Sequence, residues 1–591
     1  MEDQKQIAIK KVFMNSVSKW EGTWDTKILY WDEAKGNFMK MKLQILLTKH
    51  KELIYQTQSG FVLRIDYAQE ILEQPKIMTN LEQLKFLQWH GQIGQDNKRQ
   101  GKWTATWDGE IIAYVGGMYC HDGKKQGLWK ELIENFWSRA QVFEVGSYQN
   151  DEKIGLWKYI QKEKNIGSGL YNEQGQKDGK WTELFENFFE SSQVFYQGIY
   201  REGIKIGKWI IIWKDEEVGW GNYENNEKNG LWIELSKEFQ QDSQVTYAGL
   251  YQNGKKINRW NTYYNQKKIG GGFYDDCFLK HGKWIDLIEN FSNDRQITLI
   301  GLYNKGQKVG IWDWEELSHF SRFKKISGGL YNGQGQKNGI WYGLTRNYSY
   351  ISEITSKGKY KNGKKIGNWN LFFLDKQIGG GEYNEKSLKN GNWIEVDDFW
   401  VFCESSLQGE YLNGIKIGKW IIKWEGKQLG GGQYDENNLK NGKWIELSQA
   451  FYEDSQVTHA GLYQNGKKVG RWNIYYNNKK IGGGSFDECC LKHGKWIDLI
   501  DNFHCDKEVT VQGEYLNGRK IGNWVYILNH KQIGGGLYDH QSQKQGKWVE
   551  LSTHFCEVEQ ETNQGVYQNG LKIGKWISLK KGFEKQSVME Y

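Results

Sequence analysis

The sequence predicts an all-β fold, an elongated single-layer antiparallel β-hairpin repeat array. The first observation is a recurring unit, Gly-x-Tyr-x-Asn-Gly-Lys-Lys-x-Gly-x-Trp, which is clearest at residues 249–260 and 461–472. The second is composition, since the chain has 71 Gly, 30 Trp and 34 Tyr but a single Pro. This balance favours a thin sheet in which aromatic rings pack on glycines over a thick aliphatic core.

Each unit ends in a marker tryptophan, and there are nineteen of these. They are Trp103, Trp129, Trp157, Trp181, Trp209, Trp232, Trp260, Trp284, Trp312, Trp341, Trp369, Trp393, Trp420, Trp444, Trp472, Trp496, Trp524, Trp548 and Trp576. Most spacings alternate between 28 and 24 residues, so the true period is a pair of units of about 52 residues. The longer interval from Trp312 to Tyr331 indicates five residues inserted in a connection.

Within a unit, Asn-Gly between two aromatic strands is a strong β-hairpin signal. Residues 253–256 fit a four-residue turn, which would place Gly249 opposite Trp260 and Tyr251 opposite Asn258. The duplicated block predicts the same arrangement around Tyr463. Asn258 stands where other units have Gly, and Asn tolerates positive φ best after Gly, so we expect backbone conformation to be the main constraint there.

The chain divides into three parts. Residues 1–88 lie outside the clear repeats and alternate apolar and polar side chains, which predicts an N-terminal β-rich cap or divergent repeats, with a small independent domain as the alternative. Residues 89–579 form the array, and residues 580–591 form a C-terminal tail.

Composition also bears on the function class. The net charge of +7 is far short of the basic stripe that nucleic acid requires, so no nucleic-acid partner is expected. Seven cysteines are too few and too irregular for a disulfide framework, which favours a reducing cytoplasm. The chain has no apolar run near 18 residues and opens on charged residues without an apolar leader segment.

Metal binding can be considered at two places, Cys277 with His281, and Cys489 and Cys490 with His493. Zinc requires four ligands, and each place offers two or three, so we expect turn residues and no metal site.

Glycine triplets at residues 270–272, 379–381, 482–484 and 534–536 lack the lysine or helix that phosphate loops require, and we interpret them as strand glycines under aromatic rings. No catalytic constellation stands apart from the repeat. We therefore expect neither a cofactor nor an enzymatic activity.

The turns between Tyr and Trp are rich in basic residues, and the sequence places these turns along one edge of the sheet. This candidate interaction edge comprises Lys255, Lys256, Lys364, Lys365, Lys467, Lys468, Arg519 and Lys520. Lysines at a sheet edge commonly discourage aggregation. Alternatively, they could contact acidic proteins or anionic lipid headgroups.

The core Asn-Gly-Lys-x-x-Gly-x-Trp resembles the MORN repeat, over most of the chain from about residue 91 to residue 576. The resemblance implies a single-layer elongated sheet and a role in protein scaffolding, cytoskeletal or membrane-associated assembly, or dimerisation. The chain departs from the common form, because its period alternates and Trp often replaces the second Tyr.

These observations predict a non-enzymatic scaffold that presents an extended surface to unknown protein partners, including a second copy of itself. The alternative function is peripheral attachment to anionic lipid through the lysine-rich turn edge, which is the less favoured partner. The expected location is the cytoplasm, with cytoskeletal or membrane association.

Overall fold

The computed structural model describes residues 22–32, 37–48, 52–57, 62–67, 78, 80–95, 98–289, 291–317, 323–345, 354–396, 404–448, 451–452, 454–501, 503–552, 555–580 and 583–590. Within these ranges the chain is almost entirely β-strand, and the predicted fold class is confirmed. Among the described residues, no helix has the length and apolar character needed to cross a membrane.

The N-terminal elements are β1 (Gly22–Asp32), β2 (Asn37–Leu47), β3 (Glu52–Thr57), β4 (Val62–Tyr67) and the short helix α1 (Leu81–Phe86). The array begins with β5 (Leu87–Ile93), β6 (Arg99–Trp107), β7 (Glu110–Tyr119), β8 (Lys125–Leu132), β9 (Val142–Gln149), β10 (Glu152–Gln161), β11 (Lys164–Tyr171), β12 (Lys177–Leu184), β13 (Val194–Arg201), β14 (Ile204–Trp213), β15 (Glu216–Glu224) and β16 (Glu227–Leu235). Its middle consists of β17 (Val245–Gln252), β18 (Lys255–Tyr264), β19 (Lys267–Tyr274), β20 (Lys280–Leu287), β21 (Ile297–Asn304), β22 (Gln307–Leu317), β23 (Phe323–Tyr331), β24 (Lys337–Leu344), β25 (Ile354–Lys361), β26 (Lys364–Phe373), β27 (Lys376–Tyr383) and β28 (Lys389–Val396). The last strands are β29 (Ser405–Leu412), β30 (Ile415–Trp424), β31 (Lys427–Tyr434), β32 (Lys440–Leu447), β33 (Val457–Gln464), β34 (Lys467–Tyr476), β35 (Lys479–Phe486), β36 (Lys492–Leu499), β37 (Thr510–Leu516), β38 (Arg519–Leu528), β39 (Lys531–Tyr538), β40 (Lys544–Leu551), β41 (Thr562–Gln568), β42 (Leu571–Lys580) and β43 (Phe583–Glu590).

The described strands form two antiparallel sheets. Strands β1 to β4 pair in chain order in a small sheet, and β5 to β43 pair in chain order in the array. Because every strand hydrogen-bonds its sequence neighbours, the contacts are local and the sheet can grow by adding hairpins. One period of about 52 residues corresponds to four strands.

The Asn-Gly turn has two residues, so the predicted four-residue turn was wrong. Tyr251 pairs with Lys256 and Gln252 pairs with Lys255, which leaves only Asn253 and Gly254 in the turn. Both have positive φ, 48° and 73°, as the tight hairpin turn that matches strand twist requires. A β-bulge between Ala248 and Leu250 accommodates the extra residue, which a four-residue turn would have contained.

Asn258 lies in this bulge with φ of 56°, which confirms the backbone constraint predicted for it. At the equivalent Gly207, Gly367 and Gly470, φ is between 60° and 66°, and an added Cβ would meet no atom within 4 Å. Conformation alone therefore selects Gly or Asn at this position.

The marker tryptophans lie against strand glycines, as predicted. The ring of Trp260 lies over Gly249 on the preceding strand, where a Cβ would come within 2.4 Å of the ring. Gly272 stands in the same relation to Trp284, at 2.3 Å. A glycine beneath each ring lets the indole lie flat on the sheet, and Trp260 is only 3% exposed.

Tyrosines fill the spaces between the tryptophans. Trp232, Tyr251 and Trp260 meet edge to face, with ring centroids 6.0 and 5.1 Å apart. This edge-to-face order, which the aromatic quadrupole favours, repeats along the array. We call the side of the sheet that bears these rings the tryptophan face.

The three glycines of a triplet have three different roles, and the prediction identified only the contact with an aromatic ring. In the first triplet, only Gly272 lies beneath a tryptophan ring. Gly271 has φ of 117°, and Gly270 approaches the Ile285 carbonyl, which a Cβ would meet at 2.6 Å.

Long connections on the edge opposite the Asn-Gly turns pack back onto the array. Phe291 is buried against Val245 and Tyr264, and the Ser243 hydroxyl donates to the Phe291 carbonyl of the next connection. The predicted insertion falls at the β22–β23 hairpin, whose ladder ends at the Leu317–Phe323 pair, and residues 318–322 lie outside the described residues.

The N-terminal sheet and α1 contact the array. Asn80 Nδ2 and Gln83 Nε2 both donate to the Phe136 carbonyl, and Trp31 packs on Trp137 at 5.1 Å between ring centroids. Glu52 pairs with Arg519 at the distant β38. The segment from 580 to 591, treated as a tail in the sequence, contributes the final strand β43, which pairs with β42.

The first and last parts of the array also touch. The Lys572 amide donates to the Gly109 carbonyl at 3.3 Å, and the Lys572 ammonium pairs with Glu110. Gly109 lies against Tyr567 and the Gly570 carbonyl, at 3.3 and 2.8 Å from its Cβ position. The β6–β7 turn therefore rests on the β41–β42 hairpin.

Gly272→Ala should lower the free energy of unfolding by about 1–3 kcal/mol, because the added methyl group overlaps the Trp284 ring. Urea unfolding followed by circular dichroism measures the change. Gly333→Ala is the matched control, since a Cβ there meets nothing within 4 Å. Equal effects of the two substitutions would contradict ring-on-glycine packing.

Gly470→Ala should cost about 1 kcal/mol because Gly470 has a left-handed backbone, whereas Gly470→Asn should cost measurably less. Thermal unfolding of the two variants makes the comparison. If Asn were as harmful as Ala, conformation would not be the selecting constraint.

Candidate functional site: the lysine–carboxylate ladder

A row of charged side chains crosses the tryptophan face. In every fourth strand from β8 to β40, with the exception of β24, an acidic residue follows the marker tryptophan by two positions and so shares its face, because side chains alternate along a strand. Eight carboxylates of the described residues occupy this position, and each pairs with the lysine that precedes it by six positions. They are Glu131, Glu183, Glu234, Asp286, Glu395, Glu446, Asp498 and Glu550. With their lysine partners, these residues form what we call the lysine–carboxylate ladder.

One rung shows the geometry. The Glu234 carboxylate accepts from Lys228 Nζ at 2.7 Å, Lys256 Nζ at 2.6 Å and the Tyr251 hydroxyl at 2.9 Å. Each ammonium also lies over a tryptophan ring, Lys228 at 4.5 Å from the Trp232 centroid and Lys256 at 3.9 Å from the Trp260 centroid. The carboxylate therefore binds two ammonium groups that the aromatic rings already hold in position.

Other rungs repeat this arrangement. Glu446 accepts from Lys468 at 3.1 Å and from the Tyr463 hydroxyl at 2.9 Å, and it also pairs with Lys440. Asp286 replaces Glu in another rung and accepts from the Tyr303 hydroxyl at 2.7 Å.

The charges determine how the rung titrates. Burial alone would raise the pKa of the Glu234 carboxyl, but Lys256 and Lys228 hold that pKa below its ordinary value. Burial, followed by the charge and hydrogen bond of Glu234, raises the pKa of Tyr251, so its hydroxyl stays protonated and donates.

The ladder is interrupted once, in β24. The position that follows Trp341 by two residues is Gly343, so this rung has no carboxylate of its own. Its cations are still in place, with Lys337 Nζ 4.4 Å from the Trp341 centroid and Lys365 Nζ 4.0 Å from the Trp369 centroid. Burial and the charges of Lys365 and Lys308 lower the pKa of Lys337 to about 8.

The basic residues predicted to form an interaction edge do not share one environment. Lys255, Lys364 and Lys467 are exposed at the Asn-Gly turns. Their neighbours Lys256 and Lys468 lie on the tryptophan face as ladder cations, and Lys365 and Lys520 stack on Trp369 and Trp524. Arg519 pairs with Glu52. Three of these eight residues are therefore exposed.

The cysteines considered for metal binding lie in turns. Cys277 is exposed in the turn that follows Tyr274, where its amide donates to the Asp275 carboxylate, and Cys490 has φ of 65° in the equivalent turn. A different group, His504, Cys505 and Asp506, places three ligand atoms within 4.8 Å of one another. However, His504 Nδ1 already accepts from the Asp506 amide.

Sequence reasoning missed the ladder. Glu234 lies in β16 with its carboxylate bound by Lys228, Lys256 and Tyr251, which the repeat pattern alone did not indicate. The detectable signal was the acidic residue two positions after every second marker tryptophan, with a single exception at Gly343.

In comparisons with known proteins, no family model and no curated protein matches the chain. A function is therefore proposed from the repeat sequence and its geometry.

Glu234→Gln should lower the free energy of unfolding at pH 7 by about 1.5–3 kcal/mol, because charge-assisted hydrogen bonds to two lysines are lost. Since the folded pKa of Glu234 is depressed, its contribution is present above the unfolded pKa and disappears as pH falls through the folded value. Urea titrations between pH 7 and pH 2 measure this dependence.

Glu227→Gln, at an exposed position of the same strand, provides the control. A deficit in Glu234→Gln that stayed constant down to pH 2 would contradict the ionic origin of the effect.

Proposed function

We propose that this protein is a non-enzymatic scaffold that binds partner proteins through the side of its sheet opposite the tryptophan face. The observation that supports this proposal is a row of exposed aliphatic side chains on strands β21 to β24. We call this side the aliphatic face.

Four residues form the centre of this row. Leu302, Ile311, Leu330 and Ile340 are 50%, 66%, 41% and 63% exposed. Ile311 pairs directly with Leu330 across the ladder, so the two side chains lie side by side on one face. Adjacent exposed aliphatic groups in a soluble sheet are typical of a protein-binding surface.

Cations flank the row. Lys283 pairs with Leu302 at one end, and Lys359 pairs with Ile340 at the other, and both lysines are exposed. The matching partner surface has an apolar centre with acidic residues on either side, because such charges improve specificity and association rate.

The resemblance to the MORN repeat supports the same role, since it implies scaffolding and dimerisation. A second copy of this chain is therefore one of the partners that we propose.

Attachment to anionic lipid is the second candidate function. Its specific support is the exposure of Lys255, Lys364 and Lys467 at turn tips. These lysines belong to different periods, and the neighbouring lysines are directed into the ladder, so few charges would act together at a membrane surface.

Ile311→Lys with Ile340→Lys should weaken partner binding at least about tenfold, because two apolar contacts worth about 1 kcal/mol each are lost. Other units carry Lys at the same position, as at Lys208 and Lys283, so the fold should tolerate the change. Proximity labelling in the native cell would compare the proteins enriched by wild type and variant, followed by affinity measurement with the purified partner.

Leu128→Lys with Leu156→Lys is the matched control, since both residues occupy the equivalent position and are 71% and 49% exposed. Loss in both variants, or in neither, would overturn the assignment of this surface. Flotation with anionic vesicles tests the lipid alternative, which requires salt-sensitive binding that Lys255→Glu, Lys364→Glu and Lys467→Glu together abolish.

A further inference from the structure

We propose that the interrupted rung at Gly343 binds one carboxylate supplied from outside the chain, held by Lys337, Lys365 and the Tyr360 hydroxyl. This site lies on the tryptophan face and is independent of the protein-binding surface proposed above.

The array itself provides the comparison. In the rung of Glu234, two lysines and a tyrosine hydroxyl converge on one carboxylate. The rung at Gly343 retains all three donors but lacks the acid, because Lys337, Lys365 and Tyr360 occupy the positions of Lys228, Lys256 and Tyr251. The donor set is therefore the one that recognises a carboxylate elsewhere in the same molecule.

The donors keep their positions without the acid. Lys337 Nζ lies 4.4 Å from the Trp341 centroid and 5.2 Å from the Tyr360 centroid, against 4.5 and 5.1 Å for Lys228 in its own rung. Lys365 Nζ lies 4.0 Å from the Trp369 centroid, against 3.9 Å for Lys256. Stacking on the rings thus pre-organises both ammonium groups, which reduces the entropy lost when a ligand binds.

The charges at this rung are unbalanced among the described residues. No carboxylate contributes to the lowered pKa of Lys337 or of Lys365, and each is lowered further by neighbouring lysines. Tyr360 has a raised pKa from burial alone, whereas the pKa of Tyr251 is also raised by its acidic partner. One anion would relieve the lysine repulsion and accept from the tyrosine.

The residues at the position of the missing acid are small. Gly343 pairs with Ser356 across the ladder, so both residues at this point are small. The corresponding pairs elsewhere are bulky, as in Glu234 with Tyr247 and Glu395 with Leu407. A ligand of the size of a glutamate side chain, a propionate group, matches what the other rungs contain.

Acylation of lysines at pH 8, resolved by peptide mass spectrometry on the intact full-length protein, tests the site with propionate as the probe. Propionate at saturation should slow acylation of Lys337 and Lys365 at least about threefold, while Lys228 and Lys256, whose rung contains Glu234, stay unchanged. Uniform protection of all four lysines, or none, would overturn the proposal.

Gly343→Glu supplies the missing acid and should abolish the effect of propionate. Because a Cβ at Gly343 meets Ser356 Oγ at 2.7 Å, Gly343→Glu with Ser356→Ala is the second variant, should the first fail to fold. Persistent protection by propionate in a folded variant would contradict the site. The converse variant, Glu395→Gly with Leu407→Ser, should transfer propionate protection to Lys389 and Lys416.

Three further arms identify the ligand. Inorganic phosphate at equal ionic strength should protect less than propionate, and equal or stronger protection would overturn the carboxylate assignment. A glycine pentapeptide with a central Glu is compared with propionate, and its Gln counterpart is the control. Protection by the Glu peptide at the lower concentration indicates an acidic side chain of a protein as the ligand, whereas protection by propionate at the lower concentration indicates a free small carboxylate. Glu353→Gln removes the one acidic residue of segment 346–353, which lies outside the described residues. If propionate protected the lysines only in this variant, the wild-type site would already hold the Glu353 carboxylate, and the proposal of an external ligand would be overturned.

Discussion

The contact between an indole ring and a strand glycine determines the rest of this structure. With a Cβ at Gly249, the Trp260 ring could not lie on the sheet, since the two would be 2.4 Å apart. With glycine at this position, the Trp260 ring lies on the sheet over Gly249, and the Tyr251 ring meets the Trp260 ring edge to face. The single sheet thereby obtains a continuous apolar layer from its own side chains, without a second layer to cover it.

The same packing explains the charged ladder. Aromatic rings on both sides of each ammonium exclude part of the solvent, which strengthens the attraction between Lys256 and Glu234 but penalises either charge alone. The acid, the two lysines and the tyrosine thus form one unit of interaction. Gly343 removes one member of such a unit and leaves the others in position.

The sequence predicted the fold because its signals are local and repeated. The Asn253-Gly254 pair identified the hairpin turn. The glycine on the strand that precedes each marker tryptophan, such as Gly249 for Trp260, identified the contact between ring and glycine. The predicted turn length was wrong because an extra residue can lie either in the turn or in a bulge, as it does at Asn258. The sequence pattern alone does not distinguish these two places. The ladder was missed because Lys256 comes from β18, two strands away from Lys228 and Glu234 on β16, and only the register brings it to the carboxylate.

The contact between Lys572 and Glu110 has a consequence for how this chain can evolve. Open-ended arrays gain or lose repeats readily, because neighbouring copies recombine and each new hairpin finds the same neighbours. Here the β6–β7 turn meets a particular hairpin near the far end, so inserting or deleting one period would bring different residues to Gly109 and Glu110. The number of repeats between these two places therefore determines whether the contact can form, a constraint that an array without such a contact does not have.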